Sequence, residues 1–290
     1  MSVLDHALER PVALGLGGAR VRALRPTLWL SLLALAFIAV AAIAPSLLTS
    51  QGPLTVHLDS AFRAPSLQHL FGTDQSGRDV YTRVVYGARQ SVLIGIGATA
   101  LGLGVATLLG VTAGLGGRFA DGAISRFVEV LFAFPGLLLA LLLVAIFGTG
   151  AGTQIVAVGL ASAPGYARMI RGRVLAVKGS GYVEASRALG HAPWRTLTRT
   201  LLPNAARPLV VLATLGVGQA IVWASALSFL GLGVAPPAPE WGAMLDAGRD
   251  YIQSAWWLTV CPGAVIVAFT LAATSLGRHL QQRLEGRQVR

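Results

Sequence analysis

The stretch Tyr182-Val183-Glu184-Ala185-Ser186-Arg187-Ala188-Leu189-Gly190, followed by Leu202-Pro203-Asn204, is a short polar island between two long apolar segments. Tyr182 to Leu189 are mostly good helix formers, and Gly190 is a natural left-handed stop after them. The spacing predicts a helix of about two turns, ~12 Å at ~1.5 Å per residue. Ala185 and Ala188 offer a low-relief face onto which another backbone can settle; Tyr182, Val183 and Leu189 supply apolar anchors too few to make a core. Pro203 is expected to limit helical geometry at Leu202, with re-entry into the next apolar run at Pro208. Such a helix in the loop of an apolar chain reads as a docking surface, and its plain alternative is an ordinary loop with an interfacial helix.

The surrounding chain belongs in a bilayer. Of its 290 residues 54% are hydrophobic and 12% charged, against about 25% charged in soluble domains, and the mean hydropathy is +0.66. The net charge of +11 would suggest nucleic acid in a soluble protein. Here the basic residues crowd the ends of apolar runs, and no aromatic-basic cluster is present to stack bases, so no nucleic-acid partner is expected. Cys261 is the lone cysteine, and His6, His57, His69, His191 and His279 lack metal-ligand spacing. No metal site is assigned.

Six segments approach the ~20 apolar residues that a bilayer-crossing helix needs: 27–48, 91–115, 127–147, 154–169, 208–232 and 255–276. None alternates with period two, which argues against a β-barrel. With the N-terminus inside, only Arg63, Arg78, Arg83, Arg89 and Arg249 of the 23 basic residues fall in outer segments. The positive-inside rule therefore puts both termini in the cytoplasm. The expected fold is all-α: a cytoplasmic segment 1–26, a first membrane helix 27–48, an extracytoplasmic segment 49–90, a five-helix core 91–277 and a cytoplasmic tail 278–290. The docking helix lies in a loop, 171–207, between the fourth and fifth spans. Gly110 and Gly114 in the second span have the four-residue spacing of a close-packing face.

The spans lack an engine. Among the 12 acids only Glu129 falls in one, near its cytoplasmic end, whereas ion-coupled carriers bury ionisable groups in mid-membrane. No phosphate loop of the G-x-x-x-x-G-K-[ST] type is present, Lys178-Gly179-Ser180 having those residue types in another order. Paired carboxylates, a His-Glu metal motif and a Ser-centred elbow are missing as well, so no catalytic residue is assigned. If the chain moves a solute uphill, the energy must arrive through contact with another protein. The alternatives are an ion-driven secondary carrier acting alone and a membrane-embedded enzyme or scaffold.

Glu184-Ala185-Ser186, Gly190 six residues after the Glu, and Leu202-Pro203 resemble the EAA loop of the permease subunits of ABC importers. Ser186 replaces that pattern's second Ala, and Thr200 stands where the pattern has Ile. Gly72-Thr73-Asp74-Gln75-Ser76-Gly77-Arg78-Asp79, leading to Gly87-Ala88-Arg89-Gln90-Ser91, is similar to a stretch of the dipeptide/oligopeptide/nickel branch of that family. Phe229-Leu230-Gly231-Leu232-Gly233, Pro236-Pro237, Trp241-Gly242-Ala243-Met244-Leu245, Trp256-Trp257 and Pro262-Gly263 resemble a later signature of the same branch. The tail Leu276-Gly277-Arg278-His279-Leu280 departs from it by lacking acids. The resemblance implies an inner-membrane transport subunit, not an enzyme, and a coupling helix formed by Tyr182, Glu184, Ala185, Ser186, Ala188, Leu189 and Gly190 with Leu202 and Pro203. It implies no cofactor in this chain, because ATP-Mg is bound by two cytoplasmic ATPase partners. A second related permease completes the pore, and an extracytoplasmic binding protein delivers di- or oligopeptides, nickel or another small solute. Gly72, Thr73, Asp74, Gly77, Arg78, Asp79 and Arg89 form the outer-side motif, for which a local charge network capping the second span is the favoured reading.

Overall fold

A computed structural model describes residues 26–285. The expected cytoplasmic segment before Pro26, with Arg10, Arg20, Arg22 and Arg25, and the tail after Glu285 lie outside the described residues. Ten helices follow in order: α1 Pro26–Ile43, α2 Val80–Leu115, α3 Gly117–Ala133, α4 Gly136–Phe147, α5 Ala151–Lys178, α6 Gly181–Ala188, α7 Pro193–Thr196, α8 Leu202–Leu227, α9 Trp241–Arg249 and α10 Trp257–Glu285. Wide π turns at Leu197–Leu201 and Ser228–Leu232 extend α8 at both ends. Among the described residues the one β feature is an isolated bridge between Thr73 and Asp79.

Among the described residues four stretches are long and apolar enough to cross a bilayer: Pro26–Ile43, Val80–Leu115, Pro193–Leu232 and Trp257–Leu284. The apolar run 127–147, read above as one span, is instead broken. Phe134 is extended and Pro135 follows it, so α3 and α4 meet at 90°. Proline disfavours the α region in the residue before it and cannot donate a backbone hydrogen bond, which ends α3 at this point. Helix α4, at 12 residues, is ~18 Å long and cannot cross a ~30 Å core alone.

Pro203 does not interrupt the chain. Leu202 is helical (φ −59, ψ −45), and its N–H reaches Leu197 O across the π turn. The extra residue in that turn widens it and relieves the clash that a proline ring makes with the preceding turn of a regular α-helix. Re-entry therefore begins at Leu202, before Pro208.

Helices α2 and α5 form the axis of the bundle. A methyl group placed on Gly102 would come within 2.8 Å of Gly159 O, one on Gly159 within 2.9 Å of Ala98 O, and one on Gly110 within 2.8 Å of Ala167 O. The two backbones approach as closely as glycine allows, which is how helices associate where lipid removes the hydrophobic drive. Helix α8 joins this pair at Gly95, where Ile221 packs, and Phe269 of α10 closes over Ile221 and Trp241.

The axis separates two ends. The N-terminus of α2 follows the 49–79 segment; at its other end Lys178 Nζ donates to Gly114 O at 3.3 Å, just before α6. Over 36 residues the two lie ~50 Å apart. Helix α10 starts beside Thr73, which accepts from Trp257 Nε1 at 3.1 Å, and runs to the α6 end. Helix α1 runs the other way, so that Leu48 and Thr49 just beyond it meet Tyr81 and Thr82.

Gly104, on the same helix as Gly102, faces open space. Gly102→Val should therefore cost about 1–3 kcal/mol through overpacking and lower the unfolding temperature of the purified protein. Gly104→Val should leave that temperature within error or raise it.

Candidate functional site

Helix α6 is latched inward by two side chains at helical spacing. Val183 is fully buried and packs with Val174, Val177, Leu201 and Ala205. Ser186, on the same face, is buried, its hydroxyl 2.9 Å from Thr196 Oγ1 and 3.2 Å from His191 Nδ1. Ser186, grouped above with the docking residues, thus ties α6 to α7. Its hydroxyl does work that the alanine of the family pattern could not.

The remaining face is open. Tyr182, Glu184, Ala185, Arg187, Ala188 and Leu189 are all exposed, Leu189 at 74%. Glu184 stands in the first turn and Arg187 in the last, the arrangement that the helix dipole favours. The helix ends in a complete Schellman motif: Gly190 N donates to Arg187 O at 2.9 Å and His191 N to Ser186 O at 3.2 Å, with Gly190 at φ +72. Trp194 of α7 is 73% exposed beside Arg195 and Arg199. Sequence reasoning passed over it, although a tryptophan after Pro193 in a basic loop was the available signal. Leu202 is half-buried and Pro203 exposed at the start of α8, so these two stand apart from the face that α6 presents.

The motif at the opposite end is a knot of hydrogen bonds. Asp74 accepts from Ser76 N at 2.8 Å, Arg78 N at 2.9 Å and Arg78 Nε at 2.7 Å, and lies 3.7 Å from Arg83 Nε. Asp79 caps α2 by accepting from Thr82 N at 2.8 Å and meets His69 Nδ1 at 3.0 Å. Thr73 Oγ1 accepts from Arg63 N at 2.8 Å and donates to Ser60 O. Gly72 and Gly77 both have φ +72, and each faces a wall: a methyl group would lie 2.7 Å from Trp257 Nε1 at Gly72 and 1.8 Å from His57 O at Gly77. Arg89 is not part of this knot; it is exposed a few turns along α2. Arg83, missed in the sequence, is buried and donates to Pro53 O at 3.2 Å and Pro237 O at 3.3 Å.

A second buried polar cluster was also not foreseen. Glu240 is 1% exposed and caps α9, accepting from Gly242 N at 2.9 Å and Ala243 N at 2.8 Å. It also accepts from Ser91 Oγ at 3.1 Å and Ser228 Oγ at 3.0 Å. Gln154 Nε2 donates to Ser228 Oγ at 2.8 Å and to Ala224 O at 3.1 Å, so one carboxylate joins α2, α5, the end of α8 and α9. Position 240 falls outside every apolar run, so span counting could not reveal that the loop folds back against α2. Gly87 permits that approach, with Pro239 O where its side chain would be.

Removing Asp74 leaves Arg78 and the buried Arg83 without their counter-charge. Asp74→Ala should cost about 3 kcal/mol and lower the unfolding temperature, while Arg89→Ala should leave it unchanged.

Residues 106–286 match the family model described as "Binding-protein-dependent transport system inner membrane component". The dipeptide transport system permease protein DppC of Alkalihalophilus pseudofirmus is 40% identical over 249 residues, covering 86% of this chain and 82% of that protein. The di/tripeptide permease protein DppC of Pseudomonas aeruginosa is 43% identical over 216 residues, 74% of this chain and 71% of its own length. The glutathione permease protein GsiD of Pectobacterium atrosepticum is 40% identical over 227 residues, 78% and 75% of the two chains. In fold, the chain resembles a solved amino acid ABC transporter (TM-score 0.57, 17% identity, 70% of this chain and 94% of that one) and the MetNI methionine ABC transporter (TM-score 0.52, 21% identity, 68% and 96%). With an all-helical fold of several apolar spans, this chain is a member of the binding-protein-dependent transport inner-membrane component family.

Proposed function

We propose that the chain is the permease subunit of an ATP-driven importer in the cytoplasmic membrane, forming half of a translocation path for di- or oligopeptides. The observation that carries this reading is the construction of α6: a rod held to the bundle by Val183 and Ser186, closed at Gly190, and bare on its other face. A push on the bare face passes through Val183 into α5 and α8, because its packing partners Val174, Val177, Leu201 and Ala205 belong to α5 and to the entry of α8. The partners are two ATPase subunits that bind ATP-Mg, a second related permease and an external solute-binding protein. Docking shifts inward- and outward-facing populations only if it binds them unequally.

Chain parity supports six crossings with both termini cytoplasmic. Helix α2 ends near α6, whereas α5 starts about midway along α2, where Ile155 packs at Gly97. The bent pair α3–α4 returns the chain over that distance, which supports reading it as the third crossing, between α2 and α5. Peptides are the favoured cargo because the matched relatives are named for dipeptide, di/tripeptide and glutathione transport. An ion-coupled carrier would call on the buried Glu240, but its four donors within the chain fill the lone-pair sites of a carboxylate.

Glu184→Ala and Gly190→Val should each reduce ATP-driven peptide uptake at least ~10-fold, equivalent to about 1.4 kcal/mol, with membrane levels of the protein unchanged. Space around Gly190 is open, so its substitutions act through backbone strain. Gly190→Pro should be worse than Gly190→Ala, because it also removes the donor to Arg187 O and constrains Leu189. Wild-type uptake in both Glu184→Ala and Gly190→Val would contradict the coupling role.

A further inference from the structure

A groove of about 750 Å³ runs between α1 and α10. Arg278, His279 and Gln282 line it toward the C-terminal end of α10; Leu30, Ala34, Ala268 and Leu271 line the deeper part. The lining is graded: cationic and hydrogen-bonding at one end, aliphatic along the rest. From Ala268 to Arg278 the helix rises ~15 Å, about half of a ~30 Å hydrocarbon core. Those are the dimensions of one leaflet.

Arg278 and Gln282 are both exposed at the polar end of the groove. No acid lines the groove, so its polar end favours an anion. Arg20, Arg22 and Arg25, which precede α1 in the sequence, offer Arg278 no counter-charge.

We infer that this groove holds an anionic phospholipid, its phosphate held by Arg278 and Gln282 and one acyl chain lying along Leu30, Ala268 and Leu271. The site rests on the reading that this end of the bundle faces the cytoplasmic leaflet, where basic pockets between membrane helices bind lipid head groups. It does not depend on the cargo or on α6.

The test uses the full chain purified in mild detergent and titrated with phosphatidylglycerol or phosphatidylcholine of identical acyl chains, with bound lipid counted by native mass spectrometry. Phosphatidylglycerol should bind one-to-one, at least ~10-fold more tightly than phosphatidylcholine. Arg278→Glu should abolish that preference, and Ala268→Phe, which fills the groove and leaves the charges intact, should weaken binding of both lipids. Inorganic phosphate at equal concentration should not compete. Equal binding of the two lipids, retention of the preference in Arg278→Glu, or full competition by phosphate would overturn the proposal. So would a preference that emerges only after residues 1–24 are deleted, or only when the second permease is removed, because the groove would then belong to that segment or to that subunit. Lipid counting needs no transport, so its failure leaves the importer reading intact, and a failed uptake experiment leaves the lipid site intact.

Discussion

The close approach of α2 and α5 is the constraint on which the architecture rests. Lipid supplies no hydrophobic drive between helices, so association depends on backbone proximity and dispersion contacts. Gly102, Gly110 and Gly159 bring the two backbones together over much of their length. That contact sets the straight axis from which both polar ends are hung: the Asp74–Asp79 knot at one end and α6 at the other. Each end is packed on an apolar cluster shared with the bundle: Val80, Val84 and Trp257 at one, Val174, Val177 and Val183 at the other. The first is fixed to α10 through Trp257, the second to α5 and α8 through Val183.

A rod can transmit displacement only if it is stiff and firmly joined to what it moves. Helix α6 meets both requirements with few residues. Its end is closed by two backbone hydrogen bonds at Gly190, and its inner face is held by one apolar side chain and one hydroxyl. Its outer face uses exposed Tyr182, Leu189 and the neighbouring Trp194. Tyrosine and tryptophan are the side chains that most often anchor a protein interface. The buried Glu240 cluster links α2, α5, the end of α8 and α9 through Ser91, Gln154 and Ser228.

Much of this was legible in the sequence because the signals are local. Composition and apolar run length announce membrane helices, and Gly190 after eight helix-competent residues announces the end of α6. Gly72 and Gly77 flanking Asp74 announce a tight polar turn. What escaped depends on contacts between distant residues. Pro135 lies inside the run read as one span, but a 90° break between α3 and α4 depends on how the flanking helices pack. Pro203 signals a helix boundary by the usual rule, and only the π turn before it explains a continuous helix. Ser186 could not be told from its outward neighbours until Thr196 and His191 were found beneath it, and Glu240 lies 149 residues from Ser91.

The central claim is that force from an ATP-consuming partner enters through the bare face of α6. The most direct measurement is site-specific disulfide cross-linking in the assembled transporter, with Cys261 replaced by alanine. Cysteine at Ala188 or Ala185 should cross-link to the ATPase in high yield, with a yield that changes when ATP is bound, while cysteine at Val183 should not react. Failure of Ala188→Cys and Ala185→Cys to reach any ATPase residue, or cross-linking of either to the external binding protein, would contradict the account.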